Sequence, residues 1–174
     1  GIKSPADFKG KTLGIPPIYR NELPLVLSLE GLREQDVTVR SVGFDPGALL
    51  AHQVDVYNAY AMNQPLTLKQ KGIPYRFFLW ADSGYVYYTD VFFATSKTIK
   101  QNPTLLRAFL RATKRGWADV WAHPAAAVTF TVGQSHGSLV AQQQRLELAA
   151  LRPLTFSRDT TLHGFGAMTT QKWQ

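Results

Sequence analysis

Short apolar runs alternate with helix-start signals through the first ~80 residues, and this alternation constrains the fold more than any other feature. Residues 11–15, Lys-Thr-Leu-Gly-Ile, read as a buried strand that Pro16 and Pro17 stop. After a loop at 18–22, Pro24 opens a helix through Leu25, Val26, Leu29 and Leu32, interrupted near Gly31. Residues 37–42 alternate apolar and polar side chains, as a half-buried strand does. Phe44-Asp-Pro-Gly47 is a turn into a short helical piece. Residues 54–59 form the next strand, and a helix at 66–71 follows, with Pro65 in its first turn and Gly72 at its stop. Residues 75–79 close the series as a fourth strand. Strands and helices in strict alternation imply a parallel sheet with right-handed crossovers. Ser4-Pro-Ala-Asp7 adds a very short helix ahead of the first strand.

The remainder has a different character. Residues 81–85 read as a linker, and 86–94 as a long apolar and aromatic strand. Beyond it the pattern is helical. Asn102 caps and Pro103 starts a helix whose Leu105, Leu106, Phe109, Leu110, Trp117 and Val120 recur as a core stripe up to Pro124. Further helices are expected at 125–132 and 138–151, followed by an irregular tail from Pro153. A single strand in this half is not stable by itself. It joins the edge of the first sheet, or its partners lie outside these residues.

Composition narrows the function classes. With 174 residues, 45% of them apolar, the chain is globular and large enough for one sizeable domain or two small lobes. No apolar run approaches the ~20 residues that span a bilayer. The chain begins at Gly1, as a mature or trimmed product does. It has no cysteine, which excludes disulfides, thiol nucleophiles and thiolate metal sites. The charge of +7 raises nucleic-acid binding. Against it, the basic residues are scattered, and Arg107, Arg111, Lys114 and Arg115 recur at helical spacing as one solvated face. No nucleic-acid partner is expected. His52, His123, His136 and His163 lack metal-ligand spacing, and neither a nucleophile elbow nor a phosphate-binding glycine loop is present, so no metal, cofactor or catalytic residue is assigned.

Ligand-binding candidates lie where strands end. Tyr19, Arg20 and Asn21 follow the first strand and precede a helix; together with Glu22 they read either as a ligand loop or as a capping loop with solvated charges. Arg20 offers the two-pronged donor edge that carboxylates, sulfonates and phosphates take. Tyr57, Tyr60 and Asn63 crowd the third strand's end. In a continuous strand the two tyrosines face opposite sides, so at most one reaches a cleft unless the strand has ended. Asn63 either orients a ligand or caps the helix that Pro65 enters. Tyr85, with Asp82, Tyr87, Tyr88 and Asp90, either closes over a ring or packs a crossover. Asp45 and Asp55 have no geometry for an acid–base dyad.

Several segments together resemble the type II periplasmic substrate-binding proteins of ABC importers, in the branch serving sulfonates, nitrate and thiamine pyrimidine precursors. These are Ile2-Lys-Ser-Pro-Ala-Asp-Phe-Lys-Gly-Lys-Thr-Leu-Gly-Ile15, Val54-Asp-Val-Tyr-Asn-Ala-Tyr-Ala-Met-Asn-Gln-Pro65, Tyr88-Thr-Asp-Val-Phe-Phe-Ala-Thr95, the helix from Asn102 to Trp117, and His163-Gly-Phe-Gly-Ala-Met168 with Trp173. The thiamine-precursor branch usually has Asn-Glu-Pro where this chain has Asn63-Gln64-Pro65. The resemblance implies a type II binding-protein-like α/β fold. In it, residues 1–82 form a parallel-rich lobe, 83–88 a hinge crossover, and 89–174 the return strand and helices of a partial first lobe. It implies an extracytoplasmic protein that captures a small polar organic ligand and presents it to a membrane permease, with no bond chemistry. It also implies that an amino-terminal βα series belongs ahead of Gly1; without it, either binding is weak, or a partner chain or the pairing of two copies as a homodimer restores the cleft. The same module serves as the sensor region of histidine kinases and diguanylate cyclases, which is the alternative function. A pyrimidine-synthesising branch uses a cysteine-rich motif that this sequence lacks.

Overall fold

The structure, a computed structural model, describes residues 1–156 and 158–170. The chain divides into two compact units, Gly1–Val86 and Tyr87–Gln174.

The first unit is built on three parallel strands: β1 (Thr12–Ile15), β2 (Thr38–Ser41) and β3 (Val56–Tyr57). Their order is β2-β1-β3, so β1 is central and the chain crosses from one side of it to the other. Register pairs Leu13 with Val39 and with Val56. Helix α1 (Leu23–Leu29) connects β1 to β2, α2 (Gly47–Leu50) connects β2 to β3, and α3 (Gln64–Gln70) follows β3. Leu13, Ile15, Leu23, Leu27 and Leu32 form the core, with Phe8, Tyr19, Val37, Val39 and Val56 packed against it. The alternation in β2 aims Val39 at this core and leaves Thr38, Arg40 and Ser41 to solvent. Gly31 and Gly72, at φ +71° and +65°, supply the left-handed residues after α1 and α3.

An aspartate three residues after the capping position recurs in three 3-10 turns, Pro5–Phe8, Glu34–Asp36 and Trp80–Ser83. Asp7 accepts from the backbone N–H groups of Lys3 and Ser4, Asp36 from Arg33, and Asp82 from Leu79. The bonds from Lys3 and Ser4 hold the Asp7 carboxyl below its usual range. Ser4 makes no side-chain capping bond; the Asp7 carboxylate takes the two backbone donors just ahead of the turn.

Two expected strands are absent. Residues 75–79 carry no ladder partner among the described residues, and Tyr75, Phe77 and Leu79 are exposed, with the first two rings packed on each other. Residues 86–94 are likewise irregular. Both are apolar enough for a strand, but a strand exists only through its neighbour's hydrogen bonds, and none is supplied. The third strand is also shorter than the 54–59 expected, because the chain leaves the sheet after Asn58 donates to the Gly14 carbonyl. The segment read as a linker is the turn Trp80–Ser83, ended by Gly84 at φ +94°.

The second unit is helical: α4 (Ser96–Gln101), α5 (Pro103–Ala122), α6 (Pro124–Gln134), α7 (Ala141–Thr155) and α8 (Arg158–His163). Helix α7 runs through Pro153, where an irregular tail was expected. The α5 stripe is not a buried core. Leu105, Phe109 and Leu110 are exposed, and only Leu106, Trp117 and Val120 are partly covered. Trp117 stacks on Trp121 one turn on, and the Arg152 guanidinium lies over the rings of Trp121 and Phe156. Arg107, Arg111, Lys114 and Arg115 are all exposed, as their spacing implied. Trp173 lies outside the described residues.

Candidate functional site

A cleft of about 490 Å³ opens outside the carboxyl ends of β1 and β2. Ile15, Pro17, Arg20, Asn21, Val39 and Ser41 line it. Open α/β sheets hold ligands outside the carboxyl ends of their strands, and with the order β2-β1-β3 the loops diverge between β1 and β3, so this cleft lies beside the switch point and not at it. Pro16 and Pro17 forbid continuation of β1, and the chain turns through the 3-10 turn Pro17–Tyr19 into the loop that carries Arg20 and Asn21. Arg20 is ion-paired with Glu34, so its guanidinium is anchored at the rim.

Beside this loop the first unit gathers an aromatic cluster. Tyr19 meets Tyr60 edge-on at 5.8 Å and Trp80 at 6.3 Å, and Trp80 packs on Tyr85 at 5.7 Å. Three candidates from distant parts of the sequence, Tyr19, Tyr60 and Tyr85, are thereby joined. Tyr60 reaches this position because β3 ends at Tyr57, which releases it from strand alternation.

Tyr57 and Asn63 are not among these ring contacts, although the Asn63 N–H donates to the Tyr60 carbonyl. Tyr57 is in β3, and its hydroxyl donates to the Gly43 carbonyl at 2.8 Å. Burial, and then the Asp45 charge, hold its phenol above the usual range. Asn63 occupies the capping position of α3, but its side chain makes no capping bond; its carbonyl accepts from Leu66 and Thr67. Gln64 beside it is buried and uses both ends of its amide: Nε2 donates to the Phe44 carbonyl at 2.9 Å and Oε1 accepts from the Tyr60 N–H at 3.0 Å. It ties the exit of β3 to the turn before α2. The two aspartates are also structural. Asp55 accepts from the Thr12 N–H and Asp45 from the Gly47 N–H.

Trp80 and the partial burial of Glu22, whose Oε2 is shut off from solvent, were not legible in the sequence. Trp80 joins the cluster from sixty residues away, and Glu22 sits in a loop that reads as solvated. Burial pushes the Glu22 carboxyl above its usual range, and its charge adds to burial in raising Tyr85. Among the described residues no group of three or more His, Asp or Glu stands close enough to hold a metal ion. Nor is any helix long and apolar enough to cross a membrane.

A family model described as NMT1/THI5 like matches residues 1–127, which include the whole sheet and α5. The chain belongs to the NMT1/THI5-like family. Membership agrees with the resemblance to periplasmic-type substrate-binding proteins drawn from the sequence. Two relatives in this NMT1/THI5-like group are similar along nearly the whole chain. The riboflavin-binding protein RibY of Chloroflexus aurantiacus is 33% identical over 99% of this chain and 50% of its own length. The formylaminopyrimidine-binding protein of Halalkalibacterium halodurans is 25% identical over 98% of this chain and 53% of its own. The chain therefore spans about half the length of these relatives.

Proposed function

We propose that this chain is part of an extracytoplasmic solute-binding protein that captures a small, flat, polar organic molecule for an ABC importer. The observation that carries the reading is the cleft at the carboxyl ends of β1 and β2, with the Tyr19–Tyr60–Trp80–Tyr85 cluster beside its loop. Ring edges and faces with few charged groups hold and orient a heteroaromatic ring. The names of the relatives give the ligand class its support, since riboflavin and formylaminopyrimidine both contain a nitrogen heterocycle. Tyr19, Arg20, Asn21, Tyr60 and Tyr85 are the residues assigned to contact, and residues 83–88 the flexing connection. No bond is made or broken; the protein's work is capture and presentation.

A thermal-shift screen with riboflavin, formylaminopyrimidine, taurine and nitrate tests the reading. A true ligand at about a hundredfold over its Kd stabilises the folded state by about 2.7 kcal/mol through mass action. Asn63→Ala then asks whether the amide at the start of α3 takes part; unchanged affinity removes it. Absence of any shift with all four compounds would remove the solute-binding reading from this chain.

A further inference from the structure

Of the described residues lining the cleft, Arg20 alone carries a charge, and that charge is already matched. Its Nη2 is paired with Oε1 of Glu34, the first residue of the turn Glu34–Asp36 that precedes β2. The turn is held by its own bonds: the Val37 N–H donates to the Glu34 carbonyl, the Gly10 N–H to the Asp36 carbonyl, and the Arg33 N–H to the Asp36 carboxylate. Glu34 is therefore presented from a fixed support. The oxygen that meets Arg20 is shut off from solvent, although both side chains are otherwise half exposed. Glu34 is outside the lining and acts on the cleft through Arg20.

The chemistry of an acceptable solute follows from this pair. A guanidinium with open donors is the natural seat of a carboxylate, sulfonate or phosphate. Here a carboxylate of the protein occupies it, and the pair has no net charge. An anionic solute must displace Glu34 or lie beside its negative charge, and either is unfavourable. The other polar groups of the lining, Asn21 and Ser41, are neutral, and each supplies both a donor and an acceptor. They suit the amide-like edge of an uncharged ring.

We propose that Glu34 is a specificity-determining residue of the cleft: by occupying Arg20 it makes the cleft select uncharged solutes and reject anions. This rests on the solute-binding reading above and narrows it, since specificity is a difference of affinities and Glu34 supplies the term that works against oxyanions.

The test uses two probe pairs on the whole chain: riboflavin against its 5′-phosphate, and uracil against uracil-6-carboxylate. Each pair keeps the ring and adds an anionic group. Ethanesulfonate serves as a small anion with no ring. Affinities are read by calorimetry and, for the flavins, by quenching of their fluorescence. The wild-type chain binds the uncharged member of at least one pair about tenfold or more tightly than its anionic partner, and does not bind ethanesulfonate. Glu34→Gln keeps the shape and removes the charge; it brings the ratio close to unity and gains ethanesulfonate binding. The double variant Arg20→Ala/Glu34→Gln loses that gain, which places the released charge at Arg20. If the wild type binds an uncharged probe but Glu34→Gln changes neither the ratio nor the response to ethanesulfonate, Glu34 is not the selector and the solute-binding reading stands alone. The same holds if the wild type binds anions as tightly as their uncharged partners. If no ring compound binds the wild type, yet Glu34→Gln takes up ethanesulfonate and the double variant does not, the hold of Glu34 on Arg20 stands and the heteroaromatic reading falls. Absence of binding by every probe to all three proteins overturns both.

Discussion

Gln64 is a buried polar side chain, Glu22 is a partly buried one whose Oε2 is shut off from solvent, and the two have opposite energetics. Gln64 satisfies its acceptor on Tyr60 N–H and its donor on the Phe44 carbonyl. Gln64→Glu keeps the first bond and turns the second into two oxygens facing each other. The variant is less stable than wild type by about 1–3 kcal/mol at neutral pH. Its carboxyl would have a folded-state pKa raised above the unfolded one, so the penalty is full above the folded value and fades as protonation restores a donor. Urea denaturation at neutral pH and in mild acid checks this, and an equal loss at both would show that the Phe44 contact does not carry the effect. For Glu22 the sign is reversed at the level of the mutation. Its own carboxyl is raised by burial, so the native protein loses stability as pH rises through the folded value. Glu22→Gln removes the charge and therefore raises the unliganded thermal midpoint at neutral pH, with a smaller gain in acid. A midpoint unchanged at neutral pH would mean that water reaches the carboxylate. Neither state was legible in the sequence, because burial at a helix start depends on partners distant in the chain.

Among the elements, β1 has the strictest demands. It is central, and Leu13, Gly14 and Ile15 are all buried. A Cβ at Gly14 would lie 3.2 Å from Val42 Cγ1 and from both γ carbons of Val54. Glycine stands there to let side chains flanking the two neighbouring strands close over the central one, not to reach an unusual backbone angle. Gly14→Ala destabilises the chain by about 1–3 kcal/mol through overpacking, although alanine is the better strand residue in the abstract. A lowered urea midpoint at constant slope is the expected result; a midpoint at or above wild type would show that the two valines move aside freely. The places of β1, β2, α1 and α3 were legible because Pro24 and Pro65 mark helix starts and apolar runs mark strands. Residues 75–79 and 86–94 were misread for the same reason. An apolar run signals preference for a covered environment, whereas a strand also needs a hydrogen-bonding neighbour, which no local pattern encodes. The loop carrying Arg20 and Asn21 was legible because a prolyl stop after a central strand fixes where the chain must turn. The reach of Trp80 to Tyr19 was not, since nothing local announces it.

At the scale of the molecule, the two units are unequally packed. The first closes a core around β1, whereas in the second Val128 is the buried hydrophobic residue among those described. Periodicity located the α5 stripe correctly along the helix but not its burial, which depends on what packs against it. On that unit Phe93 is 94% exposed, and Phe92 beside it meets Phe109 edge-on at 5.1 Å near the uncovered Leu105 and Leu110. Large apolar side chains left exposed in this number promote association in water. The chain in isolation therefore binds a hydrophobic dye and associates as its concentration rises. Because Phe93 has almost no covered surface to lose, Phe93→Ser changes folding stability by less than about 0.5 kcal/mol while it lowers both dye binding and association. Static light scattering across a dilution series, paired with urea denaturation, separates the two effects. Association that survives Phe93→Ser, with stability intact, would assign self-contact to another surface, and the exposed basic face of α5 makes that face a poor candidate, because like charges repel across any symmetric pairing.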